Sequence, residues 1–202
     1  MILGLHCLPA LGASPSFDCG RAEGEVQKLV CQDPRLAELD RELARLFGLA
    51  RADQHTTGSD PAALAVGERG WIERRDACRN AGDMRECVVA SYAGRIAEIR
   101  RSHAGARSQD DRGISLGPFA ARCDRLDALI EVTFINGKEE PALANLEWLD
   151  QALVVSLGPS GSGARYTGRY GGGTATFWNK GDEALFELPG QPQRQCRIEK
   201  IG

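Results

Sequence analysis

The sequence predicts a two-domain α+β protein, in which a small, disulfide-stapled all-α domain precedes an antiparallel β domain. Three observations carry this. Apolar residues recur every three or four positions from Phe17 to about Ser102, they alternate with polar ones from Ile114 onward, and the stretch between has neither period. At 202 residues the chain has room for two compact units. Its 42% apolar and 26% charged residues are globular values that argue against disorder and against a transmembrane segment. A net charge of −3 without a Lys/Arg run is not the footprint of a nucleic-acid binder.

Residues 1–16 begin with a short apolar run, and Ala10-Leu11-Gly12 fits a signal-peptidase site. They are read as a signal-peptide remnant or a disordered N-terminus, with a buried N-terminal strand as the alternative. Gly4-Leu5-His6 does not place Leu three residues before Cys7, which disfavours a lipid anchor. Cleavage near Gly12 would leave Cys19, Cys31, Cys78, Cys87, Cys123 and Cys196, an even set that suits an oxidising compartment. The protein is therefore expected to be periplasmic or secreted.

Residues 17–102 form the helical domain. Asp33-Pro34 and Asp60-Pro61 each read as an N-cap followed by Pro at the first helical position. After the first come Leu36, Leu39, Leu43, Leu46, Phe47 and Ala50 as one apolar stripe. After the second come Leu64, Trp71 and Ile72, and after Asp83 come Cys87, Val88, Tyr92, Ile96 and Ile99. Three helices and a short leading one result. So small a bundle has a limited core, which makes covalent staples useful. Cys78 and Cys87 flank an interhelical turn and are paired; Cys19 is paired with Cys31 by the same locality, one of three possible connectivities.

Residues 103–113, HAGARSQDDRG, are small and polar and are read as a linker. In residues 114–202 the run Leu129–Phe134 precedes Asn136-Gly137, a hairpin-type turn signal. Short β-type runs follow at Pro141–Leu149, Ala152–Leu157, Ala164–Tyr170, Thr174–Trp178, Glu183–Leu188 and Gln195–Lys200. Seven or eight strands in about 90 residues suggest a small barrel or sandwich. Cys123 on the first strand and Cys196 on the last could tie its ends, a closure worth on the order of 4 kcal/mol.

The chemistry-bearing stretch is SGARYTGRYGGGTATFWNKG, residues 162–181, where Ser162 and Lys180 bracket a glycine-laden segment. Catalysis by a Ser–Lys pair needs a buried, deprotonated Lys. Lys180 instead lies among turn and acidic residues, and neither S-x-x-K nor G-x-S-x-G is present in this half. A phosphate cradle fails too: Gly158–Gly163 has the G-x-x-x-x-G spacing, but Ala164 and Arg165 stand where Lys and Ser/Thr are required. No CxxC or Cys/His cluster suggests a metal, and no cofactor is implied. The bland alternative is that the glycines and Ser162 serve turns while Lys180 is a solvated charge.

SGSGARY (Ser160–Tyr166) and FWNKGDEA (Phe177–Ala184) closely resemble the two signature segments of the periplasmic and membrane-bound inhibitors of c-type lysozyme, the MliC/PliC family. Cys123-Asp124 and Cys196 resemble that family's disulfide pair. The resemblance covers about residues 114–202 and implies an eight-stranded β-barrel, no catalysis, and a lysozyme-binding loop. Ser162 and Lys180 would be its inhibitory pair, with Gly163, Tyr166 and Gly181 beside them. Gly171–Thr174 lengthens the hairpin between the pair.

FDCGRA (Phe17–Ala22), VCQDPRLAELDREL (Val30–Leu43), WIERRDAC (Trp71–Cys78) and CVVASYAGRIAEI (Cys87–Ile99) resemble the LprI-type helical domain, also linked to lysozyme inhibition. A lysozyme works with two facing carboxyl groups. A loop carrying a hydroxyl and an ammonium into that cleft would meet both without offering a bond to cleave. The other functional class is a non-catalytic envelope module for peptidoglycan or another envelope protein. Residues 114–202 carry 9 basic and 11 acidic residues, a charge of −2 that would help approach to a basic enzyme.

Overall fold

A computed structural model of the chain describes residues 14–53, 61–107 and 112–201. The proposed signal site, Cys7 and Asp60 lie outside these residues. Four helices come first: α1 (Glu25–Gln32), α2 (Pro34–Ala52), α3 (Pro61–Asp76) and α4 (Met84–Ser102). Eight strands follow: β1 (Ser115–Cys123), β2 (Leu129–Ile135), β3 (Leu143–Trp148), β4 (Gln151–Gly158), β5 (Ala164–Tyr170), β6 (Gly173–Lys180), β7 (Glu183–Glu187) and β8 (Arg194–Lys200). Each strand pairs antiparallel with the next, and β1 pairs with β8, so the sheet closes as a barrel rather than a sandwich.

The helix signals act as expected. The Asp33 carboxylate accepts hydrogen bonds from the N–H groups of Arg35 and Leu36, and Asp83 caps α4 through the N–H of Glu86. Leu36, Leu39, Leu43, Leu46 and Ala50 of α2 are buried against Trp71 of α3 and Val88, Tyr92 and Ile96 of α4. Disulfides join Cys19 to Cys31, Cys78 to Cys87 and Cys123 to Cys196. The last pair sits in register across the β1–β8 seam.

The helical core does not end at the helices. Ile135 and Leu143 belong to it, and Ile114 and Val154 pack against it. These side chains stand outside the barrel, since their strand neighbours Phe134, Ala144 and Val155 face the interior. The helices thus cover the outer wall formed by β2, β3 and β4, together with the start of β1.

Polar groups fasten this contact. A second stripe on α2, Arg35, Glu38 and Glu42, is buried although charged. Arg35 donates to the Ile135 carbonyl, and Glu38 accepts from the N–H groups of Lys138 and Glu139. Glu42 accepts from both the N–H and the hydroxyl of Ser115, and Arg100 of α4, wholly buried, donates to Gly117 O and Ser115 Oγ. Arg101 bridges Glu131 and Glu147 on the wall itself.

Three local expectations change. The segment read as a linker contains a 3-10 turn at Ala104–Arg107, with Ala106 buried and Gly105 donating to Asp53. Arg107 returns to cap the carbonyls of Arg100 and Arg101 at the end of α4. Residues 14–16 are also ordered against α2, with Ser16 N–H donating to Asp40 and Arg41 donating to Ser14 O. Asn136-Gly137 does not make a two-residue hairpin turn, because β2 ends at Ile135 and β3 starts at Leu143. Gly137 serves close approach instead, since a Cβ there would lie 2.1 Å from Glu38 Oε2.

Burial works to raise the Glu42 carboxyl, but hydrogen bonds from Arg45 and Ser115 and the Arg45 charge outweigh it and hold the group below its ordinary 4.5. A carboxyl depressed in the folded state contributes stability that is present above its unfolded value and is lost as pH falls through the folded one. Glu42→Gln is therefore expected to cost about 1–3 kcal/mol at neutral pH and to flatten the loss of stability below pH 4.5. Urea unfolding followed at several pH values checks this. An acid limb as steep as the parent's would contradict it.

Candidate functional site

The loop after β4 and the turn after β6 meet at one exposed lip. Ala164 pairs with Asn179, which brings the residues just before β5 beside the last residue of β6. Gly163 makes the approach possible: its φ is +66°, and a Cβ would fall 2.6 Å from Asn179 O and 3.3 Å from Lys180 Cβ. The Trp178 indole N–H donates to Ser162 O at 2.8 Å, and the Ser160 hydroxyl donates to the same oxygen. Ser162 is thus clamped through its carbonyl. Neither its hydroxyl nor the Lys180 ammonium has a partner among the described residues, and both residues are exposed.

Gly181, at φ +62°, starts the two-residue turn that returns the chain to β7 with Lys180 opposite Glu183. The extra hairpin length is absorbed at the other end, where Gly171 and Gly172 both take positive φ in a two-residue turn.

Tyr166 requires a correction. It is 4% exposed, inside the barrel, with its ring 5.8 Å from Phe134 and its hydroxyl pushed up by burial. Side chains alternate along β5, so the residue two beyond Ala164 faces inward with it. It supports the lip from below and is not part of the exposed surface. Phe177 and Trp178 divide the same way, Phe177 into the core and Trp178 outward to Ser162.

Beneath the lip lies a cleft of about 900 Å³ that Ser162, Trp178 and Lys180 share with Arg122, Arg125, Arg197, Asp124, Asp127 and Glu183. The sequence reading missed these charged residues. A signal was present, since Arg122 and Arg197 are neighbours of the half-cystines Cys123 and Cys196 and so must face the opposite way. The cleft is lined by residues of β6, β7, β8 and the end of β1, together with Ser162 and the turn at residues 124–127. In a ring of eight strands β7 is diametrically opposite β3, the centre of the wall that the helices cover. The helical half leaves the cleft open.

Among the described residues no group of three or more His, Cys, Asp or Glu side chains could hold a metal ion. No helix among them is long and apolar enough to cross a membrane.

Residues 122–195 match the family described as membrane-bound lysozyme-inhibitor of c-type lysozyme, MliC. The chain is similar to lipoprotein LprI of Mycobacterium bovis, 31% identical over 179 residues that cover 88% of this chain and 82% of that one. Lipoprotein LprI of two Mycobacterium tuberculosis strains matches to the same extent. The chain belongs to the LprI family. No solved structure gives a significant match. The LprI likeness spans both halves, and the MliC match falls on the barrel and includes both Ser162 and Lys180. In this LprI-family chain the MliC-matched segment begins at Arg122 and stops one residue short of Cys196, so it takes in most of the cleft.

Because Gly163 alone meets a backbone atom at 2.6 Å while a Cβ at Gly161 meets nothing, the two glycines should respond differently to alanine. Gly163→Ala is expected to cost about 1–2 kcal/mol through its left-handed backbone, and Gly161→Ala to be close to neutral. Thermal melting of the two variants decides. Equal melting temperatures would contradict the close approach.

Proposed function

We propose that this protein inhibits c-type lysozyme in the cell envelope, with the lip at Ser162 and Lys180 entering the enzyme's active-site cleft. The observation that carries the reading is the side-by-side placement of an unengaged hydroxyl and an unengaged ammonium on a clamped, exposed lip. The match of residues 122–195 to inhibitors of c-type lysozyme supports the choice of partner. One lysozyme carboxyl is protonated and the other ionised. Ser162 would bond the first and Lys180 would neutralise the second.

The inhibitor undergoes no turnover in this scheme, because it offers no bond to cleave. Gly163 and Gly181 set the backbone of the lip, Trp178 holds Ser162 in place, and Tyr166 fills the core beneath it. The concave surface below would receive whatever part of the enzyme projects beside its active site. An envelope location is supported by the relatives, named lipoproteins, and by three disulfides that need an oxidising compartment.

Ser162→Ala and Lys180→Ala test the reading. Lys180→Ala should weaken inhibition by about 2–5 kcal/mol in binding free energy and Ser162→Ala by about 1–3 kcal/mol, with the fold retained. The double variant should be non-additive, since the two groups address neighbouring carboxyls. Acidification should weaken the parent as the lysozyme carboxylate opposite Lys180 protonates, and less so in Lys180→Ala. Inhibition constants across pH are the measurement. Parent-like inhibition by both single variants would sink the proposal.

A further inference from the structure

A ladder of charges crosses the outer barrel wall next to the lip. Lys180 is opposite Glu183, Glu183 opposite Arg197, and Arg197 opposite Arg122. All four are exposed and line the cleft, while their chain neighbours Ala184, Cys196 and Cys123 are buried at its floor. With strands about 4.8 Å apart the row is roughly 14 Å long.

None of the four side chains has a hydrogen bond or ion pair among the described residues, and neither has Arg125 in the same cleft. Two features of the cleft oppose folding. Arg122 and Arg197 are like charges placed directly opposite in an antiparallel pair, which is destabilising. Arg125 is a non-glycine residue at φ +57°. Costs without internal compensation at one concave surface point to a ligand outside the chain.

We propose that Arg122 and Arg197 are specificity determinants of the inhibitor, binding acidic side chains of the lysozyme about 10–14 Å from the carboxylate met by Lys180. This rests on the lysozyme reading. The pattern selects a protein surface over a polyanionic glycan: Glu183 interrupts the row, and Asp124 and Asp127 share the cleft, so a uniformly negative chain would meet three carboxylates. The complementary partner presents acid, base, acid, acid along one edge. Lysozymes that keep the catalytic carboxyls but lack the two flanking acids would be inhibited less.

The test measures inhibition and association rate against several c-type lysozymes, at low and high salt, for the full chain and its variants. Arg122→Glu and Arg197→Glu should each weaken inhibition by about tenfold or more and change its salt dependence. Arg122→Gln and Arg197→Gln, with thermal melting as a check on folding, should show smaller losses of the same kind. Arg169→Glu, on β5 and outside the cleft, should inhibit like the parent. If the parent fails to inhibit, or Lys180→Ala is silent, the lysozyme reading fails and the ladder falls with it. If Lys180→Ala loses inhibition while the Arg122 and Arg197 variants keep it, only the ladder is overturned. Tighter binding of inorganic polyphosphate than of lysozyme, lost in the Arg variants, would overturn it as well.

Discussion

Closure of the barrel between β1 and β8 is the constraint on which the other features depend. The Cys123–Cys196 disulfide joins residues that are already register partners, so the covalent bond and the ladder of backbone hydrogen bonds specify the same seam. A closed ring has no edge strand to protect. It also has two opposite walls, and the chain uses them for different purposes. The wall of β2, β3 and β4 receives the helices, and the wall around β7 carries the cleft and lip.

The joint between the halves combines apolar packing of Ile135 and Leu143 with buried polar contacts. Glu42, Ser115 and Arg100 form a buried relay in which two helix side chains meet one barrel hydroxyl. Removing one member would leave another buried and unsatisfied, which costs more than an ordinary hydrogen bond contributes. This makes the helical half a fixed fitting on the barrel, aligned by groups that tolerate little displacement. The lip depends on similar economy: one glycine, one indole N–H and one carbonyl position two reactive-looking but chemically idle groups.

Local signals in the sequence were sufficient for the elements. Alternation gave all the strands after Leu129, the apolar stripes gave the helices, and the half-cystine locality gave Cys19–Cys31 and Cys78–Cys87. The adjacency of Ser162 and Lys180 was legible through resemblance, whereas the close approach of β6 that Gly163 permits is visible only in three dimensions. Tyr166 was grouped with Ser162 and Lys180 because it lies in the same signature segment, although its parity with Ala164 puts it inside. The Arg35, Glu38 and Glu42 stripe and the Ala104–Arg107 turn were illegible for another reason. Charged helix faces and small polar stretches default to solvent, and only the tertiary contacts show what covers them.

Hydrogen exchange on the protein alone and in the presence of c-type lysozyme tests the central claim most directly. New protection is expected at residues 160–163 and 178–183 and along the start of β8, with the helices unchanged. Protection confined to the helices, or none anywhere at saturating lysozyme, would contradict it.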